Sequence, residues 1–183
     1  QDPDVLMVGE IRDCETADIA VRAALTGHLV LSTLHTNQAV GAPERLMDMG
    51  VEPYLVASAL SAVLAQRLVR RLCARCRRPV VVKRGHRDYE MLDAHGLAGE
   101  TVYEPQGCPA CNGQGYRGRV AIAELLVVTD RVRRLIQGRA AAGLLAEAAQ
   151  QEGMRPLFAD GLRQVAAGVT SLAEVKRAAF LEG

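Results

Sequence analysis

The chain has 183 residues, 49% of them apolar, enough to bury a substantial core in one domain or two. Its 22 basic and 21 acidic residues leave a net charge of +1, and aromatics are 3% with no tryptophan, so neither a strong polyanion-steering field nor a base-stacking platform is encoded. No apolar run approaches the roughly 20 residues of a membrane span and no signal peptide opens the chain, so a cytosolic protein is expected.

Residues 1 to 72 alternate strand and helix signals, an α/β pattern. VLMV, from Val5 to Val8, reads as a buried strand that stops at Gly9 and Glu10. A helix from about Glu15 is closed by Gly27, the strand HLVLSTL follows from His28, and a further helix ends at Gly50. Pro53, at a first-turn position, opens a longer predicted helix. It has Val56, Leu60, Val63, Leu64 and Leu68 at helical spacing, and Arg67, Arg70 and Arg71 near its end, where cations suit the helix dipole.

From Cys73 to Arg119 the texture changes to Cys, Gly, Pro and charge, around one short helical stretch from Asp88 to Ala94 stopped by Gly96. The rest is predicted helical. One helix follows the Thr129–Asp130 cap signal, an Ala-rich one runs up to Gly153, one spans Pro156 to Gly168, and the last starts at Leu172 behind a Ser171/Glu174 capping box. The expected organisation is therefore an α/β segment 1–72, an inserted module 73–119 and a helical segment 120–183.

Four of the five cysteines form two pairs, CARC (Cys73, Cys76) and CPAC (Cys108, Cys111), separated by 31 residues. Two residues between thiolates let one turn present both sulfurs to a single ion, and a second pair closes a tetrahedron around a structural zinc, leaving no open position for catalytic water. The glycines of CPACNGQGYRG suit turns whose amides point at sulfur. Zinc with four thiolates adds −2, which would give Arg75, Arg77 and Arg78 local partners. His86 and His95 lie inside the module as substitute ligands in principle, but four cysteines leave no vacancy. Cys14 stands apart and is expected to be a small packed side chain.

An acid at the mouth of a buried strand is where nucleotide-hydrolysing folds keep a water-activating carboxylate, although many strand-end acids are only surface charges. Glu10 holds that place. The next strand ends in Ser32, Thr33, His35, Thr36 and Asn37, so polar groups gather beyond the carboxyl ends of two parallel strands, where open α/β sheets bind ligands. Glu10 and His35 are expected to face one crevice, with His28 roughly 20 Å away at the start of its strand. The phosphate cradle that should accompany them is not in the chain: its two lysines, Lys83 and Lys176, both precede arginine, whereas a P-loop needs Gly-Lys followed by Ser or Thr.

DPDVLMVGEIRD, TGHLVLSTLHTN, AQRLVRRLCARC, CPACNGQGYRGR and GMRPLFADGLRQVAAGVTSLAEV, in that order, resemble the secretion ATPases of type II secretion and type IV pilus assembly nearly from end to end. The resemblance implies the C-terminal part of a RecA-like P-loop ATPase domain, with an inserted four-cysteine zinc module and a helical C-terminal subdomain. It makes Glu10 the catalytic glutamate of an atypical Walker B segment and puts Gly9 where many ATPases have a magnesium-binding aspartate. His28 and His35 fall in the histidine box, with His35 toward the nucleotide and His28 toward a subunit interface. The implied cofactors are ATP, Mg2+ and structural Zn2+. The implied setting is a homohexamer at the cytoplasmic face of the inner membrane, held there by platform proteins, driving pseudopilus or pilus assembly without binding nucleic acid. The P-loop and N-terminal domain would lie upstream of Gln1, so the chain alone is expected to be inactive. The four cysteines favour an assembly motor over a retraction motor, type II secretion being the first expectation and pilus assembly the alternative. A reading from another class makes the zinc module, with its five arginines between Arg70 and Arg78, a nucleic-acid-binding ribbon, against which the near-neutral charge and scarce aromatics speak.

Overall fold

The computed structural model of the chain describes residues 3–85 and 87–179; His86 lies outside the described residues. The chain forms two compact units, each built from two stretches: residues up to Ala65 with Glu124–Arg155, and Gln66–Ala123 with the residues from Pro156 on. Two long strands, β3 (Ala62–Leu72) and β6 (Tyr116–Val127), pair with each other and contribute to both units.

In the first unit β1 (Val5–Val8) and β2 (Leu29–Ser32) run parallel, from Val5 opposite Leu29 to Val8 opposite Ser32. Parallel neighbours need a crossover, and helix α1 (Cys14–Leu25) supplies it. The Asp13 carboxylate caps α1 by accepting the Thr16 amide at 2.8 Å, and Gly27, with φ of 104°, turns the chain into β2. Ala17, Ala20 and Val21 of α1 pack with Ile11, Val40, Val51 and Val56 in one core. Helices α2 (Ala42–Asp48), α3 (Pro53–Ala59), α5 (Asp130–Gln137) and α6 (Ala142–Gln151) belong to the same unit, with Val132, Ile136 and Leu145 buried. The opposite face of the strand pair is bare: Val5, Met7, Leu29 and Leu31 are exposed, Met7 to 82%.

The long helix expected from Pro53 is corrected. It ends at Ala59, and Ala62–Leu72 is the strand β3, in which Ala65 and Val69 are buried while Leu64, Gln66 and Leu68 face out. The apolar positions satisfy a helical period and a two-residue period alike, and the partner strand β6, far away in sequence, decides for the second. β6 itself, with Ile122, Glu124 and Leu126 buried in alternation, falls where the sequence suggests the start of a helical segment. Arg67, Arg70 and Arg71 therefore sit on a strand and serve no helix dipole. Cys14, expected to be packed, is exposed at the start of α1.

The second unit pairs β4 (Arg78–Val81) antiparallel with β5 (Thr101–Glu104), connected through the short helix α4 (Tyr89–Asp93). Val82, Leu92 and Val102 pack with Leu162 and Val165 of α7 (Leu157–Ala166) and Val175 of α8 (Leu172–Ala179). The two helices approach so closely at Gly161 that a methyl group there would collide with the Val175 side chain.

Glu174 departs from its expected role. Its amide leans on the Ser171 hydroxyl at 3.4 Å, but its carboxylate, 2% exposed, turns to β3. There it accepts the Arg70 amide at 3.0 Å and the Arg70 guanidinium at 2.7 Å, and the Arg177 guanidinium binds it from one turn along α8. Burial works against the charge, but the bonds from Arg70 and Arg177 outweigh it and hold the carboxyl down at about 2, against an ordinary 4.5. Because the folded value is the lower one, this stability is present in full above the unfolded value and is lost as the pH falls from about 4.5 toward 2. Glu174→Ala is expected to destabilise the second unit by about 3 kcal/mol, the low end for a broken buried ion pair because both guanidinia regain water. Denaturant unfolding at pH 7 checks this, and the difference from wild type should shrink as acid protonates Glu174.

Candidate active site and metal centre

The β1–β2 ladder ends at Val8 and Ser32, and Gly9 and Glu10 follow directly beyond it. The Thr33 hydroxyl donates to the Gly9 carbonyl at 2.8 Å, and the Ile11 amide donates to the Thr33 carbonyl at 3.0 Å, so the chain on either side of Glu10 is tied to β2's continuation. The Glu10 carboxylate meets a guanidinium and an imidazole. Arg12 lies 2.5 Å from Oε2, and His35 Nε2 lies 2.6 Å from Oε1. Glu10 is 21% exposed and His35 86%, so the pair sits at an open surface. Oε1 is shielded from solvent, with the His35 imidazole against it.

The Arg12 hydrogen bond, opposed by partial burial and assisted by His35, holds Glu10 below the ordinary carboxyl value. Glu10 is therefore ionised at neutral pH and can accept a proton from, or orient, a water, at the cost of reduced basicity. Arg12 is part of this site, and its place two residues after Glu10 on an extended stretch is the sequence signal that could have found it. Gly9 leaves the neighbourhood open, since a Cβ there would meet nothing within 4 Å. His28 stands at the other end of β2, where its Nδ1 lies 3.0 Å from the Ala23 carbonyl, and the fold does not bring it to Glu10.

In the second unit the four paired cysteines converge. Cys73 and Cys108 sulfurs are 3.9 Å apart, Cys76 and Cys111 3.8 Å, and Cys108 and Cys111 3.8 Å, with all four within 4.8 Å of one another. These separations are too long for disulfides, and all four thiols are free. A tetrahedron of sulfurs about 2.3 Å from a central ion has edges of about 3.8 Å, so the donor set fits one metal ion.

The amides of Cys108 and Gly115 each donate to the Cys111 sulfur at 3.2 Å. Burial pushes Cys76 up to about 12, whereas in Cys111 burial is outweighed by those two amides and the thiol falls to about 6. Such a cluster needs a cation to carry four thiolates together at neutral pH. Gly115 has φ of 75°, its carbonyl accepts the Cys73 amide at 2.9 Å, and a Cβ there would lie 2.5 Å from that of Pro105, so glycine is required. Arg77 and Arg78 do not gather on the sulfurs. Arg77 donates to the Gly168 carbonyl and lies over the Tyr103 ring, and Arg78 pairs with Glu104 at 2.6 Å. His95 also stands apart, with Nδ1 2.8 Å from the Met91 carbonyl.

The sequence model of the family described as "Type II/IV secretion system protein" matches residues 1–177. The chain belongs to this family. The type II secretion system protein HxcR of Pseudomonas aeruginosa is 53% identical over 97% of the chain and 34% of its own length. The type II secretion system ATPase E of Vibrio cholerae is 51% identical over 97% and 35%. The type IV pilus assembly ATPase PilB of Myxococcus xanthus is 49% identical over 96% and 31%. The chain thus spans about a third of the length of these curated relatives. Among solved structures, the pilus retraction motor PilT with bound ADP matches with a TM-score of 0.65 at 25% identity, over 97% of this chain and 40% of that one. The Yersinia pseudotuberculosis ATPase DotB matches at 0.63 and 21%, over 98% and 38%, a likeness of fold. The type II/IV secretion family chain thus carries the RecA-like α/β fold of the secretion ATPases, with four cysteines placed as in a metal site. Among its described residues no helix is long and apolar enough to cross a membrane.

Proposed function

We propose that this chain is the catalytic-glutamate and metal-binding portion of a cytoplasmic motor ATPase, and that the motor hydrolyses ATP with Mg2+ to drive type II secretion. The observation that carries this is the ionised Glu10 carboxylate, with His35 against it, just past the carboxyl ends of two adjacent parallel strands. Glu10 orients or deprotonates the attacking water, His35 and the backbone at Gly9 lie toward the nucleotide, and His28 serves a subunit contact at the far end of β2. The phosphate cradle comes from another segment of a longer protein. The bare apolar face of β1 and β2 supports this, because parallel strands are ordinarily covered on both faces.

Of segment 1–72, the residues up to Ala65 then belong to the nucleotide core, and the cysteines of segment 73–119 hold Zn2+ as a structural ion, the metal that suits a closed set of four thiolates. That module presents a rigid surface to an inner-membrane platform protein or a neighbouring subunit of a homohexamer. Pilus assembly is the second reading, favoured by the likeness to PilB. Nucleic-acid binding is disfavoured because Arg70, Arg77 and Arg78 are spent on Glu174, Gly168 and Glu104.

ATP turnover tests the reading. The 183-residue chain by itself is expected to hydrolyse no ATP above background, since it has no Gly-Lys-Ser/Thr sequence. The same residues in a chain that also carries a P-loop are expected to be active. Turnover that rises in proportion to the concentration of the 183-residue chain alone would overturn the proposed division of labour.

A further inference from the structure

The loop from Thr33 to Gln38 carries His35 from the end of β2 to the short 3-10 turn at Ala39, and it is fastened at both ends by side chains. At its start, Thr33 makes two bonds. Its hydroxyl donates to the Gly9 carbonyl at 2.8 Å and its carbonyl accepts the Ile11 amide at 3.0 Å, so they fall on the residues immediately before and after Glu10. The strand ladder has already ended at Val8 and Ser32. Thr33 therefore holds the Glu10 backbone in place of regular strand pairing. At the other end, the Ala39 amide donates at 2.7 Å to Oε1 of Glu124, a carboxyl side chain that is 6% exposed on β6. Between the two, Leu34 packs against the core of the unit.

We propose that Thr33 and Glu124 are positioning residues that fix the Glu10–His35 pair before any nucleotide arrives, Thr33 by bracketing Glu10 and Glu124 by anchoring the far end of the His35 loop. This deepens the reading of Glu10 as the water-activating carboxylate and rests on it. The physical reason is that a base held in its working geometry spends no ordering entropy when its water arrives, and a displacement of about 1 Å suffices to cost much of that advantage. The Thr33 hydroxyl is a separable device: valine keeps its shape and removes the donor, and serine keeps the donor. Because Thr33 is exposed, neither change threatens the core.

The test uses NMR on the 183-residue chain, with no nucleotide present. Thr33→Val removes the bond to the Gly9 carbonyl, worth roughly one hydrogen bond, and keeps the carbonyl that holds the Ile11 amide, so the Ile11 amide is expected to exchange with solvent about tenfold faster because that bond opens more often. The cross-relaxation between the His35 ring Hε1 and the Glu10 side chain should disappear, while the His28 signals and the melting temperature stay as in wild type. Thr33→Ser should restore both the protection and the cross-relaxation. Glu124→Ala should remove the His35–Glu10 cross-relaxation and the protection of Ala39. If Thr33→Val keeps the His35–Glu10 proximity and the Ile11 protection, the bracketing role is wrong. If Glu124→Ala lowers the melting temperature but leaves that proximity intact, Glu124 is structural and the anchoring role is wrong. None of these readouts involves ATP, so failure here and failure of the ATPase reading are separately visible.

Discussion

Replacing Cys108 and Cys111 together by serine is expected to remove the metal and with it the order of the second unit, while the first unit stays folded. The four sulfurs come from two turns separated by 31 residues of sequence, and the core behind them is small: Val82, Leu92 and Val102 against α7 and α8. Ligation free energy of roughly 10 kcal/mol or more becomes folding free energy in such modules, as large as the entire stability of an ordinary domain. The amides that now point at Cys111, from Cys108 and Gly115, would face a neutral hydroxyl in place of the sulfur. The first unit holds none of the four ligands. Elemental analysis should show one zinc per wild-type chain and none in the variant. Amide spectra should lose dispersion in the second unit and keep it around Val132, Ile136 and Leu145. In the complete motor, the double variant should hydrolyse ATP at its basal rate but fail to drive export. A variant that keeps a full equivalent of zinc, or that exports normally, would show that the ion does not do this.

Much of this was legible in the sequence, for identifiable reasons. Local signals were read correctly where one stretch decides its own conformation. The Thr129 cap, the glycine stops after α1 and α2, and the helices α5 to α8 all depend on neighbours a turn away. The four cysteines could be grouped because metal geometry restricts their spacing. β3 and β6 were missed because each is stable only through the other, about 50 residues away, and an apolar pattern such as Val56, Leu60, Val63 and Leu64 fits a helix when no partner is visible. Glu174 reads as a helix cap because Ser171 stands three residues before it, yet a buried acid facing two arginines gains more from them than from its own amide. The meeting of Glu10 and His35 was legible, but its fastenings were not: the Arg12 contact and the two bonds of Thr33 depend on where the chain runs after the ladder stops. Likewise, the interleaving of the two units cannot be read from changes of texture along the chain.

In the proposed function, Glu10 is the carboxylate that activates water against ATP. The most direct measurement is ATP turnover and ATP binding by Glu10→Gln and wild type, both in a chain that carries a P-loop together with these residues. Glutamine keeps the size and the contact with Arg12 but cannot take a proton, so binding should be retained while the catalytic rate falls by about 100-fold or more, the usual cost of removing a general base. Since Arg12 holds the Glu10 carboxyl below 4.5, the acid limb of the wild-type rate profile set by this group should lie below that value and vanish in the variant. Turnover near the wild-type rate in Glu10→Gln, with ATP bound, would contradict the claim.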